Sequence, residues 1–200
     1  MRWLWWGLPA LGYLLGSLSF AVWLPRWVAG IEIRRGGSGH AGTTNTIRHL
    51  GWGWGVAVFV LDAGKGWLAV SLAQRLGAPM VVVALTGAAA VAGHNWPLFA
   101  GFRGGMGNAT TFGALLAVDW FAALSAVGWL ILWVLLLRHT ARGNLVAALT
   151  AGGLFWLLGL TGLPLALVLA VGPVLAVRFA TDWNRHYREL WLDRLSLDEG

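Results

Sequence analysis

The chain has 200 residues, of which 58% are hydrophobic and only 11% charged, and its mean hydropathy is +0.69. That composition excludes a water-soluble domain of this size; at roughly 20 apolar residues per crossing, the length allows about five to seven membrane spans and no separate soluble domain. The lack of cysteine excludes disulfides, thiolate metal sites and thiol nucleophiles, and a net charge of +6 needs only anionic lipid as its partner, with nothing suggesting nucleic acid.

Apolar runs fall at about residues 3–24, 50–73, 79–97, 110–122, 123–137, 145–160 and 163–180. The first follows Arg2 and has the outline of a secretory signal, but it is long enough to span and leads into a motif that must stay attached, so it is read as a span. Loop 1, from Pro25 to about Leu50, is too polar for lipid. It carries Glu32, Arg34 and Arg35, then Gly36-Gly37-Ser38-Gly39, His40, Thr43, Thr44, Asn45, Arg48 and His49. His40 and His49 read equally well as solvated loop residues. In the second run, Asp62 and Lys65 stand at i and i+3 on one helix face. A charge at membrane depth costs at least about 2–3 kcal/mol, so each is expected to be paired or turned to a polar cavity.

Gly93-His94-Asn95-Trp96-Pro97 closes the third run, since proline cannot continue the helix. This sets His94 at a helix C-terminus facing the cytosol, either as a general base for a hydroxyl or as a residue that holds the next loop. That loop, loop 2, reads Arg103-Gly104-Gly105-Met106-Gly107-Asn108-Ala109-Thr110-Thr111 and echoes loop 1 one residue shorter. The next apolar stretch either divides near Asp119 or forms one tilted helix. Charge decides for division. With seven spans and the N-terminus outside, Arg26, Arg34, Arg35, Arg48, Arg103, Arg138, Arg142, Arg178, Arg185, Arg188 and Arg194 share the cytosolic side, and only Arg2 and Arg75 oppose them. From Thr181 onward, Trp183, Tyr187, Trp191 and Leu195 recur every four residues beside arginines, the pattern of a short interfacial helix. The fifteen tryptophans suit interfacial belts.

The two glycine loops carry the chemistry. Glycines let consecutive backbone N–H groups converge on an anion, and a helix N-terminus adds partial positive charge. In loop 1, Gly37, Ser38, Gly39 and Thr44 would cradle a phosphate, with Arg48 in bidentate contact. Two such loops on one face suggest an enzyme that handles two phosphorylated substrates. No Gly-x-Ser-x-Gly elbow, zinc spacing or nucleotide P-loop is present, so neither covalent catalysis nor a metal is expected.

In order, Gly16-Ser17, Glu32-Ile33-Arg34, GGSGHAGTTNTIR, DAGKG and GHNWPLFAGFRGGMGNAT resemble the bacterial acyl-phosphate:glycerol-3-phosphate acyltransferases, whose patterns are GSGNxGATNxxR, DxxKG and GHxFPxFxxFKGGKGxAT. The resemblance covers about residues 12–112. It implies transfer of a fatty acyl group from acyl phosphate to the 1-hydroxyl of glycerol 3-phosphate, giving lysophosphatidate and phosphate, with no cofactor. By position it puts Ser38, Asn45 and Arg48 in the phosphate site of loop 1, gives Gly104, Gly105 and Gly107 the shaping of loop 2 with Arg103 as its basic residue, and matches Asn184 to the last residue of a family His-x-x-Asn.

The departures are Met106 for the lysine of GGKG, His40 for the asparagine of GSGN, Asn108 for a small apolar residue, Thr181 for the histidine of His-x-x-Asn, and no serines after the fifth helix, where Arg142 could substitute for a lost phosphate contact. The expectation is therefore an all-α polytopic protein, residues 1–200 forming one monomeric acyltransferase-like domain in the bacterial inner membrane, with Ser38, Arg48 and His94 as catalytic candidates. Its rivals are a non-catalytic or re-specialised relative that binds phosphorylated lipid or polyol phosphate, and a small organic-phosphate transporter, against which the lack of a clear transmembrane repeat counts.

Overall fold

The computed structural model describes residues 5–185. Its α-helices are α1 (Gly7–Gly16), α2 (Phe20–Ala29), α3 (Thr43–Leu50), α4 (Trp52–Arg75), α5 (Met80–Asn95), α6 (Asn108–Leu116), α7 (Trp120–Leu137), α8 (Thr140–Leu157) and α9 (Leu163–Ala180). Among the described residues, five stretches are long and apolar enough to cross a membrane: Gly7–Ala29, Trp52–Arg75, Met80–Ala100, Trp120–Leu137 and Leu163–Ala180. The protein is thus an all-helical, multi-pass membrane protein. α6 has only nine residues, and α8 opens with Thr140, Arg142 and Asn144, so neither joins that set.

The first expected span is not continuous. It breaks between α1 and α2, where Ser17 Oγ donates to the Tyr13 carbonyl at 2.8 Å and Ser19 Oγ to the Ser17 carbonyl at 3.0 Å. Side-chain hydroxyls competing for backbone carbonyls are a recognised way to interrupt a helix. The stretch that allowed one helix or two is two: Asp119 caps α7 through Oδ1, which accepts from the Ala122 N–H at 2.9 Å. Residues 181–184, where the interfacial helix was expected to start, form a turn, and Tyr187, Trp191 and Leu195 lie outside the described residues.

Small residues set the helix pairs. A β-carbon added at Gly12 would lie 2.5 Å from the Thr86 carbonyl oxygen, at Gly16 2.0 Å from that of Ala90, and at Gly93 2.2 Å from that of Tyr13. α1 and α5 therefore run parallel and in backbone contact, as membrane helices do where lipid offers no hydrophobic drive and packing must supply it. The same crowding joins Gly66 of α4 to Thr110 and Gly113 of α6 to Ala63. Phe155, Leu167, Phe179 and Leu115 fill the interior among α6, α8 and α9, whereas Leu132, Leu136 and Trp156 stand exposed on the outside, suited to lipid. Hydrogen bonds from Tyr13 Oη to the Trp96 carbonyl (2.7 Å) and from Arg178 Nε to the Gly105 carbonyl (2.9 Å) gather the ends of α1, α5 and α9 at one face, with both glycine loops.

Candidate active site

Loop 1 is built around Asn45. Its amide nitrogen donates to the carbonyls of Ile33 (2.9 Å), His40 (3.0 Å) and Gly36 (3.2 Å), and its Oδ1 accepts from the Ser38 N–H at 3.3 Å. With 1% exposure and its amide bonded within the loop, it organises the cradle, and it also lines the cavity beside Ser38 and Arg48. Gly37 sits at φ +57 with Asn45 Oδ1 where its β-carbon would be, 2.1 Å away, and Gly39 sits at φ +71; both torsions favour glycine. Glu32 accepts from Arg34 Nε at 2.7 Å and Nη2 at 2.9 Å. These hydrogen bonds hold the Glu32 carboxyl down at about 2. Arg34 Nη1 in turn donates to the carbonyls of Ala100 (2.7 Å) and Arg103 (3.0 Å), binding loop 1 to loop 2.

What loop 1 presents outward is Ser38, Thr43 and Thr44 around the N-terminus of α3 and Arg48 from its last turn, and all four line one cavity of about 550 Å³. That volume falls within the roughly 300–1,000 Å³ of small-molecule sites. Across from them the lining continues with Asn108 and Thr111 of α6 and Asn144 of α8; Asn108 Nδ2 donates to Asn144 Oδ1 at 2.7 Å. The hydroxyls of Thr43 and Thr111 are buried with no hydrogen-bond partner among the described residues. Beyond this polar mouth the cavity runs on between α6, α7, α8 and α9 along Phe112, Leu115, Val127, Ala147, Val171 and Leu175. One space therefore has an anion-suited end and an apolar arm.

Asp62, Lys65 and His94 lie under the loops. Lys65 Nζ reaches Asp62 Oδ1 and the Leu18 carbonyl, both at 2.8 Å, the second of these acceptors being released by the break between α1 and α2. The intramembrane charges are thus paired, as their burial demanded, while Asp62 Oδ2 is left buried with no hydrogen-bond partner among the described residues. His94 Nδ1 lies 3.5 Å from the same Asp62 oxygen. It is 7% exposed beneath loop 2 and, with Asp62, lines the cavity; Gly105 is pressed on it, since a β-carbon there would stand 2.2 Å from His94 Nε2 and 2.3 Å from the Ala41 carbonyl oxygen.

Gly104 is equally crowded, 2.0 Å from the His94 carbonyl oxygen by the same measure, and Gly107, at φ +89, caps α6 and lines the cavity. The glycines of loop 2 therefore serve close packing on α5 and loop 1, with only Gly107 at the cavity. Arg103 is exposed and lies outside the cavity lining, as does Asn184, so the structure does not bring either to the site. Met106 lines the cavity and packs against the hydrophobic interior. Arg142 stacks on Trp183, 5.1 Å from the ring, and is not placed to replace a phosphate contact in the cavity. His40 is no solvated residue: it is 7% exposed, with Asp182 and Arg178 against its ring.

Sequence reasoning named Thr43 and Thr111 only as loop residues and missed Asn144 and Arg178. An arginine in the last turn of a span, as Arg178 is, was the one usable signal, since such a cation must find acceptors.

A family model described as glycerol-3-phosphate acyltransferase matches residues 6–189. A glycerol-3-phosphate acyltransferase of Synechococcus sp. (strain CC9902) is 42% identical over 153 residues, covering 73% of this chain and 76% of the relative. Glycerol-3-phosphate acyltransferase 2 of Thermotoga maritima is 38% identical over 155 residues, covering 77% and 79%. Among solved structures, PlsY (YgiH), an integral membrane glycerol 3-phosphate acyltransferase, is similar in its glycerol 3-phosphate form with a TM-score of 0.76 and 32% identity over 89% of each chain. Its lysophosphatidic acid form gives a TM-score of 0.73 at 31% identity over the same shares.

Proposed function

The chain belongs to the glycerol-3-phosphate acyltransferase family, and on that premise we propose that it moves a fatty acyl group from acyl phosphate to the 1-hydroxyl of glycerol 3-phosphate, releasing lysophosphatidate and phosphate. The carrying observation is the single cavity that joins the polar mouth at Ser38, Thr43 and Arg48 to the apolar arm between α6 and α9. A phosphate at the N-terminus of α3, held by Arg48 and the Ser38 and Thr43 hydroxyls, sets the headgroup end. The acyl chain occupies the arm. The acceptor hydroxyl is then held against the acyl carbon, and positioning together with charge stabilisation by arginine and N–H groups supplies most of the rate.

In this reading Thr44 and Gly107 shape the walls of the mouth, Gly37, Gly39 and Asn45 hold the cradle's form, and Gly104 and Gly105 set loop 2 against it. His94, which lines the cavity, holds that loop on the Asp62–Lys65 pair, with Gly105 packed close to its Nε2. Arg103 adds positive potential near the mouth without touching a phosphate.

The proposed topology is seven crossings, N-terminus outside, with the active face on the cytosol of the inner membrane. Its support is directional. α5 and α9 end at the same face; α8 opposes α9, with Gly152 near Leu169 and Gly172 near Ala148, and α7 opposes α8 across the tight turn at Arg138 and His139. α7 therefore runs with α5, and the chain must return between them, where α6 is the available helix. The face so defined holds Arg26, Arg34, Arg35, Arg48, Arg103, Arg138, Arg142 and Arg178, as the positive-inside bias requires of a cytosolic face. The chain acts as one monomeric unit.

The test is purified protein in detergent or liposomes, supplied with acyl phosphate and glycerol 3-phosphate. Release of phosphate with formation of lysophosphatidate is expected. Binding of glycerol 3-phosphate without turnover by folded protein would support the non-catalytic alternative instead.

A further inference from the structure

The apolar arm of the cavity has a closed end. On α8 the lining residues Asn144, Ala147 and Ala151 follow one another down one face, and the next residue on that face, Phe155, is fully buried and no longer lines the space. On α9 the lining runs from Phe179 through Leu175 and Val171 to Val168, and Leu167 beside it is likewise sealed. The two helices are antiparallel, with Gly152 against Leu169 and Gly172 against Ala148, so Phe155 and Leu167 stand at one level, inside a single buried cluster. Leu115 of α6 and Ala122 and Ala123 of α7 are equally buried and belong to the same cluster. A helical side chain leans toward the N-terminus of its helix, so the Phe155 ring tilts back toward the mouth, over the turn that holds Ala151.

The walls leave this space little freedom to widen. A β-carbon added at Gly172 would lie 2.9 Å from the Ala148 carbonyl oxygen and one at Gly152 2.7 Å from Leu169 Cδ2, so α8 and α9 are in close contact along the arm. On another side Trp129 of α7 lines the arm. Its Nε1 donates to Thr150 Oγ1 at 2.9 Å, while the Thr150 hydroxyl donates to the Val146 carbonyl at 2.6 Å, which fixes the indole against α8. At the mouth end the Asn108–Asn144 bridge spans α6 and α8. From Asn144 to Phe155 the depth along α8 is about 16 Å, at about 1.5 Å per residue.

We propose that the arm is a ruler for the acyl group of the donor, with Phe155, backed by Leu167, as the specificity-determining floor that meets the terminal methyl. This rests on reading the cavity as the site of acyl transfer. The occupant follows from continuity: the arm opens from the phosphate mouth, so a molecule that fills both is an amphiphile with a phosphate head and an apolar tail. Such a molecule arrives from lipid, which is as apolar as the arm, and each further methylene buried there adds little drive. Selection then comes from fit. A tail shorter than the arm leaves a void whose lining loses its contacts. A longer tail presses on sealed side chains or has to bend out to lipid on the α7 side, where the lining residue Leu124 is exposed. Length is read between the head held at the mouth and the floor at Phe155.

A series of saturated acyl phosphates of increasing chain length, each supplied with glycerol 3-phosphate to the full chain in detergent micelles, tests the ruler. Wild type is expected to show a single optimum in kcat/KM for the donor, with a fall of about tenfold or more beyond it. Phe155→Ala lowers the floor and should move the optimum to longer chains, by up to one helical turn, about 5 Å. Ala151→Leu raises it and should move the optimum to shorter ones. Opposite shifts, with KM for glycerol 3-phosphate unchanged, are not what a generally weakened protein gives. A flat profile in wild type, or an optimum that stays in place in either folded variant, overturns the proposal. Should Phe155→Ala fail to fold, Ala151→Leu decides. Equilibrium binding of unreactive n-alkyl phosphates of the same lengths separates the ruler from the functional reading. A length optimum in binding that moves with the variants upholds the ruler even in a protein without turnover; turnover with no dependence on length ends the ruler and leaves the acyl-transfer reading standing.

Discussion

Loop 1 and loop 2 carry nearly the same glycine pattern and use it for different physical ends. In loop 1, Gly37 and Gly39 adopt positive φ, and the chain curls around Asn45 so that Ser38, Thr43 and Arg48 face the cavity. In loop 2, Gly104 and Gly105 have ordinary torsions but no room for a side chain, because His94 and Ala41 occupy the space. The first set of glycines shapes a ligand-facing turn. The second lets a backbone lie flat on its neighbours. A shared motif therefore identifies where the backbone is constrained without saying whether torsion or crowding constrains it, and the two make different predictions under substitution.

The largest effect should come from the cation of loop 1. If Arg48 holds a substrate phosphate through two charge-assisted hydrogen bonds, each contributing about 1.5–3 kcal/mol, Arg48→Ala lowers kcat/KM by about 10²-fold or more. A rate within threefold of wild type would remove loop 1 from the substrate site. Next is Gly105→Ala. Its methyl group would press 2.2 Å from His94 Nε2 and 2.3 Å from the Ala41 carbonyl, so the loop must lift off its bed, and we expect a loss of activity of about tenfold or more together with a lower Tm. Gly153→Ala is the control, since Gly153 lies within α8 outside the cavity lining and has nothing within 4 Å of the added carbon. Equal loss in both variants would show that loop 2 is not held by crowding.

A smaller loss is expected for Ser38→Ala, which removes one neutral donor, about 0.5–1.5 kcal/mol or roughly two- to tenfold in kcat/KM, while leaving the backbone bond from Ser38 N–H to Asn45 intact. It distinguishes a hydroxyl that touches substrate from one that only caps the His40 N–H, a contact of 3.4 Å. In the first case the loss appears in kinetics with Tm unchanged; in the second, Tm falls with little kinetic change.

Much of this was legible in the chain because the membrane restricts the choices. Apolar runs located the helices, the intramembrane Asp62 and Lys65 announced a pair, and Pro97 marked the end of α5. The break at residues 17–19 was not legible, since it depends on Ser17 and Ser19 turning their hydroxyls to backbone rather than to solvent, a choice fixed by α5 packing against Gly16. In the site, Ser38, Thr44 and Arg48 were readable from residue type and order. Asn45 was found, but its part in ordering the loop was not readable, because an amide in a glycine loop serves a ligand or the loop itself depending on where neighbouring carbonyls fall. Arg178 and Asp182 escaped because their partner, His40, lies about 140 residues away, and no local pattern encodes that meeting.

The smallest effect should come from the arginine that sequence order alone placed in loop 2. Arg103 opens the motif as Arg35 opens loop 1, yet its side chain is exposed and outside the cavity, while its backbone carbonyl accepts from Arg34 Nη1 at 3.0 Å. Arg103→Ala keeps that carbonyl and removes only a solvated charge. Its influence on a phosphate in the mouth is then long-range and screened over about 8–10 Å at ordinary salt. The expectation is a change of at most about threefold in KM at low ionic strength, disappearing as salt is raised, with kcat untouched. A salt-insensitive loss comparable to that of Arg48→Ala would mean that Arg103 folds inward on a bound phosphate. Loop 2 would then be a second cradle after all, and the contrast between the two loops would hold only for the empty site.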